Sequence, residues 1–332
     1  MGEISDREIW IDAAKGIGIS LVVIGHAWRG LQGAGLLEAL PDGLFAAIDT
    51  RIYAFHMPLF FMLAGLFAVP AILRLSVGDY ISNRFWRLFY PLVLWTYIFA
   101  MTKYLAGDLA NQPVALQEVF ICPVPGRWQF WFLWALFVLH MGLLILAPAL
   151  RKKRWQGPAV WGLLLSSIAL QAVPLPHELH YWTSNALRYL PYMALGMVFA
   201  RLGKTALQAE RLGPIYLLIF ASMLMLVPTL QKSGVPYLLT AGALSLCMIG
   251  GVIWWTSHYT ALVATLAMIG RHSMIIFLSH TIFSAGMRET LIASGVQVAS
   301  IHMVLATGVG IVLPLVLSHA SSRITNTRIL GV

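Results

Sequence analysis

The sequence predicts an all-α, polytopic membrane bundle of about ten transmembrane helices with both termini in the cytoplasm. Three observations predict it. Of 332 residues, 59% are hydrophobic and 11% charged, and the mean hydropathy is +0.78; a soluble domain carries about 25% charged residues. The apolar runs are long enough for membrane-crossing helices rather than for barrel strands. The Lys and Arg residues gather in alternate linkers between those runs. The chain reads as one integral-membrane domain, 1–332, with no appended soluble domain.

The first span, 17–36, rests on the run Ile17 to Ala27, apolar apart from Ser20 and His26. The polar start MGEISDREIW lacks the pattern of a cleaved leader, so this span is expected to act as its own insertion signal. Pro41 to Gly43 then breaks the chain. The second span, 52–73, contains FHMPLFFMLAGL, where Pro58 is expected to kink the helix and free a carbonyl. The third, 88–106, follows the basic NRFWRLFYP stretch, and the linker Gly107 to Pro125 closes it. The fourth, 131–150, opens on WFLWALF. Arg151, Lys152, Lys153 and Arg154 separate it from the fifth, 157–173. Pro174 to Pro176 leads to the sixth, 186–202, and Arg201, Lys204 and Arg211 lead to the seventh, 213–230. Gly234 to Pro236 starts the eighth, 235–256, and TSHYT precedes the ninth, 261–284. The tenth is 297–319.

Ten spans put Arg7 and Lys15, Arg74, Arg84 and Arg87, the Arg151–Arg154 cluster, Arg201, Lys204 and Arg211, and Arg323 and Arg328 on one side, the cytoplasm. Two linkers depart from the pattern: the eighth has no Lys or Arg, and the ninth contains Arg288. The net charge of +9 is therefore a topology signal, and nucleic acid is excluded as a partner. Cys122 and Cys247 form neither a disulfide framework nor a metal motif, and no metal is expected.

Lys15 and His26 are eleven steps apart. At ~100° per residue that is ~1100°, close to three full turns, so both share one helix face and lie ~16 Å apart along the axis. Asp12 lies on nearly the same stripe. An acid, a cation and an imidazole aligned into a membrane are costly and mark a functional site. A neutral imidazole at His26 can take a proton from a hydroxyl. Lys15 and Asp12 read as an edge ion pair, or else Lys15 reaches an anionic ligand entering from the cytoplasm. His56 reads as a helix cap or a catalytic neighbour. Arg84 and Arg87, three residues apart on one helix face, read as topology signals or as a phosphate clamp. Trp128, Trp131 and Trp134 form an interfacial belt or a platform for a sugar ring. Among Arg127, His140, Arg188, Arg271 and His280, the better site candidates are Arg188 and His280, while His140 reads as core. The His177–His180 pair, placed in an outward loop, is a weak metal signal.

Taken together, IDAAKGIGISLVVIGH at 11–26, FHMPLFFMLAGL at 55–66, RFWRLFYP at 84–91, WFLWALF at 131–137 and RHSMIIFLSH at 271–280 resemble acyltransferase family 3, and most closely its bacterial fucose O-acetylase type. The Lys15-x10-His26 spacing matches that family's basic-residue-x10-His pattern. The resemblance implies a ten-helix bacterial inner-membrane protein that uses acetyl-CoA as acyl donor and modifies sugar hydroxyls of surface or exported glycans, including lipid-linked saccharides. It makes His26 the catalytic His, Lys15 its basic partner, and Arg84 and Arg87 coenzyme A contacts. Asp12 and His56 join the expected catalytic set; Trp128, Trp131, Arg188 and His280 form the expected substrate-binding set. Arg188 or His56 is the expected donor to the developing oxyanion. The partners implied are acyl-CoA, the glycan acceptor, the bilayer and the glycan biosynthesis machinery. The rival reading is a proton-coupled transporter or glycan flippase, which intramembrane His and Arg also suit. It separates from the first by whether the substrate gains acetyl mass or only changes side.

Overall fold

The structure is a computed structural model that describes residues 9–174, 176–229, 234–258 and 260–324, of which 177–180, 184, 260 and 321–324 are described by backbone alone. No strand occurs among the described residues. In chain order the helices are α1 (Ile9–Gly33), α2 (Leu44–Tyr53), α3 (His56–Arg74), α4 (Val77–Arg84), a π turn (Phe85–Phe89), α5 (Tyr90–Ala106), the short α6 (Leu116–Val119), α7 (Trp131–Leu150), α8 (Lys153–Leu170), α9 (His177–Leu202), α10 (Ala209–Leu226), α11 (Gly234–Thr256), α12 (Thr260–Arg271), α13 (Ser273–Ala293) and α14 (Ala299–Ile324). Each of the ten expected spans overlaps at least one of these α-helices, and the second and ninth overlap two. Among the described residues, six helices are long and apolar enough to cross a membrane, and seven if α12 and α13, bent by 79° where they meet, form one span. The remainder fall short for visible reasons: α5 has 17 residues, α8 opens on Lys153 and Arg154, and α9 carries Arg188 and Arg201.

The chain divides into two compact units. The first comprises 1–56, 93–123 and 261–332; the second comprises 57–92 and 124–260. In the first unit α1 packs on α2, α13 and α14. Its inward face, Ile19, Val23 and Leu31, is almost fully buried. Gly16 faces the backbone carbonyl of Leu266, and Gly270 faces that of Asp12, with no room for a Cβ at either. These small residues let α1 and α12 approach backbone to backbone, as helices do in a membrane. Gly16→Val is expected to destabilise the protein by about 1–3 kcal/mol through overpacking, read as a lower midpoint of thermal unfolding in detergent; an unchanged midpoint would contradict the close crossing.

α13 is tied to its neighbours by polar contacts. The Ser284 hydroxyl donates to the Ala306 carbonyl on α14 at 2.8 Å. Buried Arg288 donates to the Gly30 carbonyl at the end of α1 at 3.2 Å and pairs with Glu289 at 2.7 Å. Asn111 donates to the same Gly30 carbonyl at 3.0 Å. The sequence reading ended the ninth span at 284 and counted Arg288 as a linker charge. It is instead a buried helix residue, which removes one of the two departures from the charge pattern.

In the second unit α3 and α9 cross through Gly65 and Gly196, each facing a carbonyl of the other helix. Tyr189 stacks on Phe61 at 4.7 Å and on Trp131 at 5.3 Å. Arg151, read from sequence as a topology signal, also donates to the Leu75 carbonyl at 2.9 Å and to that of Ile72 at 3.3 Å. It thereby satisfies orphan carbonyls at the end of α3. His140 is core, as expected, but core with a partner: the Tyr80 hydroxyl lies 2.6 Å from its Nδ1, and both residues are buried. Burial pushes the Tyr80 phenol above its ordinary range, so Tyr80 keeps its proton and donates. His177 and His180 open α9 rather than sit in a loop, and their side chains lie outside the described residues. Arg7 and Arg328 lie outside them as well.

Candidate active site

α1 is unbroken from Ile9 to Gly33, so the helical spacing read from sequence holds along its whole length. Lys15 is half-buried, with its Nζ 3.8 Å from Oδ1 of buried Asp12. A continuous helix keeps Lys15 ~16 Å and Asp12 ~21 Å from His26 along the axis. Neither touches His26; their place is the other end of the same helix.

The residues that do surround His26 come from α2, the start of α3, and α13. Its ring centroid lies 5.1 Å from that of His280, tilted by 57°, and 6.4 Å from that of Tyr53, edge-on. Tyr53 in turn meets the His56 ring edge-on at 4.8 Å. One turn beyond His26 on α1, Arg29 grips Asp49 with two parallel hydrogen bonds, Nε to Oδ1 at 2.6 Å and Nη2 to Oδ2 at 2.9 Å. Its guanidinium also lies 3.4 Å from the Tyr53 ring centroid. Arg29 is 47% exposed while Asp49 is 9% exposed, so the carboxylate anchors from below and the guanidinium faces outward. Both bonds to Asp49 use Nε and Nη2, and Nη1 makes no hydrogen bond among the described residues.

Local chain geometry explains why these side chains meet. α2 ends at Tyr53 and α3 begins at His56, so the helix is interrupted just before Pro58. Pro58 sits in the first turn of α3, where its missing N–H costs nothing. His56 Nδ1 donates to the Ile52 carbonyl in the last turn of α2, which makes His56 a cap as well as a neighbour of Tyr53. That bond also removes one expectation. A neutral His56 has its single N–H on Ile52 and offers only an acceptor at Nε2, so it does not serve as an oxyanion donor. His280 is held the same way, with Nδ1 2.8 Å from the Ile276 carbonyl and 3.0 Å from that of Phe277.

Two buried polar atoms beside His26, the Tyr53 hydroxyl and His280 Nε2, have no hydrogen-bond partner among the described residues. Each such atom costs about 1–3 kcal/mol and calls for an explanation; a ligand hydroxyl would supply the partner missing at Tyr53. Among the described residues no group of three or more His, Cys, Asp or Glu converges.

The remaining sequence-derived candidates, Arg84, Arg87, Trp128, Trp131 and Arg188, belong to the second unit. Arg84 ends α4 with its guanidinium 5.0 Å from the Tyr80 ring centroid and its Nε buried without a hydrogen-bond partner. Arg87 lies inside the π turn and is exposed. There the Tyr90 N–H reaches back five residues to Phe85, so the two arginines do not keep the shared face that α spacing predicts. Trp131 stacks in the Tyr189 cluster, Trp128 holds a left-handed backbone with φ 48°, and Arg188 is exposed on α9.

Sequence reading missed Arg29, Asp49 and Tyr53 as site residues. Arg29 was findable, because it lies three residues after His26 on the same helix face. Asp49 and Tyr53 carried no such signal, since α2 is only 10 residues long and lay largely within a presumed linker.

A family model described as an acyltransferase domain matches residues 8–319. Nodulation protein NolL of Mesorhizobium japonicum is 29% identical over 201 residues, covering 59% of this chain and 49% of that protein. NolL of Sinorhizobium fredii is 29% identical over 199 residues, with 59% and 50% covered. Inner membrane protein YcfT of Escherichia coli K12 is 25% identical over 211 residues, with 58% and 56% covered. The chain thus spans about half the length of the curated relatives it matches. No solved structure matches.

Proposed function

The chain belongs to acyltransferase family 3, and from that premise we propose that it transfers an acetyl or other short acyl group from cytoplasmic acetyl-CoA to a sugar hydroxyl of a surface or exported glycan. In this reading it sits in the bacterial inner membrane, with ten spans and both termini in the cytoplasm. The observation that carries the reading is the buried Tyr53 hydroxyl beside the His26 ring, which has no hydrogen-bond partner among the described residues. A site that receives an oxygen-bearing substrate needs such a partner.

The acceptor hydroxyl oxygen attacks the thioester carbonyl carbon while His26 takes its proton. The C–S bond then breaks, and the departing thiolate takes that proton from the imidazolium. The products are the sugar ester and the free thiol of coenzyme A, with His26 restored. The developing oxyanion needs a preorganised donor. Arg29 supplies it, through an Nη1 held in place by the Asp49 fork and the Tyr53 ring. The Tyr53 hydroxyl orients the acceptor.

For the donor, Arg84, Arg87 and Lys15 are proposed as phosphate contacts, and Trp128, Trp131 and Arg188 as sugar contacts. Each is proposed on its own chemistry, not on its distance from His26. The direct test is acetyl-CoA binding by the full-length protein in detergent, with Lys15→Ala and Arg84→Ala beside it. Saturable binding that weakens in both variants is expected. No binding by folded wild type at about 1 mM ligand, weaker than about −4 kcal/mol, would remove the donor from the proposal and favour transport, which moves a substrate without adding acetyl mass.

A further inference from the structure

His280 is fully buried, and its polar atoms are unevenly used. Nδ1 faces two backbone carbonyls, Ile276 at 2.8 Å and Phe277 at 3.0 Å. Carbonyls only accept, so Nδ1 carries the ring proton and the neutral ring presents a lone pair at Nε2. That atom is buried and has no partner among the described residues. The hydroxyls nearby on α13 are already engaged, Ser279 with the Ile275 carbonyl and Ser284 with the Ala306 carbonyl, both at 2.8 Å. The ring beside His280 is that of His26, 5.1 Å between centroids.

We infer that His280 is the positioning residue of the proposed reaction: the two rings lie 5.1 Å apart with no hydrogen bond between them at rest, and a turn of the His26 ring when substrate binds brings its N–H onto His280 Nε2, leaving the other His26 nitrogen, with its lone pair, toward the acceptor hydroxyl. A base is in general oriented by a third group. Here an imidazole, itself fixed by backbone carbonyls, stands where a carboxylate is more usual. It avoids burying a second charge in the membrane. The proton count is simple. The acceptor proton goes to the free nitrogen of His26 and from there to the thiolate sulfur. The Nδ1 proton of His280 stays on its carbonyls, so His280 begins and ends the cycle neutral. His280 touches neither substrate and acts through His26.

This inference rests on the acyl-transfer reading, and the experiment separates the two. Membrane vesicles holding the full-length protein are given radiolabelled acetyl-CoA, and label in the saccharide fraction is followed for wild type, His26→Ala, His280→Phe, His280→Gln and His280→Asn. Acetyl-CoA binding is measured on each as a control for folding. His280→Phe keeps the ring volume without the acceptor and is expected to lower kcat by about 10- to 100-fold, with KM for acetyl-CoA unchanged. His280→Gln can place an amide oxygen where Nε2 lies and is expected to recover most of that loss. His280→Asn is too short to do so and should not. The Gln–Asn contrast carries the test alone if the Phe variant fails to fold. Wild-type kcat in His280→Phe, or equal losses in Gln and Asn with acetyl-CoA binding intact, would overturn the positioning role while leaving the acyl-transfer reading standing. Equal label from wild type and His26→Ala would overturn that reading and this inference with it.

Discussion

Replacing His26 by Ala is expected to lower acetyl transfer by about 10²–10⁴-fold, while the protein still accumulates in the membrane and still binds acetyl-CoA. The expectation rests on what the ring touches. His26 is half-buried and flanked by the rings of His280 and Tyr53, so it is not a main packing element of α1. The deep core of that helix is Ile19, Val23 and Leu31. Removing the imidazole therefore takes away the base without emptying the core. The readout is acetyl mass on the glycan fraction, wild type against variant at matched protein level. Undiminished acetylation in a folded His26→Ala protein would remove His26 from the chemistry.

The second large effect concerns stability, at the Arg29–Asp49 fork. Arg29→Met leaves the Asp49 carboxylate, 9% exposed, without its cation. Breaking a buried pair on one side costs about 3–5 kcal/mol. Arg29 is 47% exposed, so solvent screening lowers the expected loss here to about 2–3 kcal/mol. The double variant Arg29→Met, Asp49→Asn removes the stranded charge and is expected to be more stable than Arg29→Met alone. Thermal unfolding in detergent decides it: a double variant no more stable than the single would show that the fork contributes little. Activity should stay low in both, because neither presents a guanidinium to the oxyanion.

Much of the α1 contribution was legible because it is local. The Lys15–His26 register needs only an unbroken helix, and α1 is one. The apolar runs likewise announced helices wherever the chain is uniformly hydrophobic, as in α7 and α11. What sequence could not give was partnership across elements. Asp49 lies 20 residues from Arg29 and becomes its partner only because α2 folds back along α1. The Ser284 and Arg288 contacts to α14 and α1 fix how α13 presents His280, and no periodicity reports a contact to a distant helix. The break before Pro58 was legible, because a proline disrupts the helix at the residues just before it, and the helix is interrupted at Ala54 and Phe55.

The π turn at Phe85–Phe89 has a consequence for how this helix tolerates change in length. A π turn holds one residue more than an α turn. Losing one residue there would let the turn close as ordinary α-helix. The same deletion inside a regular helix would swing everything after it by ~100°. The stretch is a slack loop in an otherwise taut rope. It is a point where this helix can shorten by a single residue, and so re-aim Arg87 relative to Arg84.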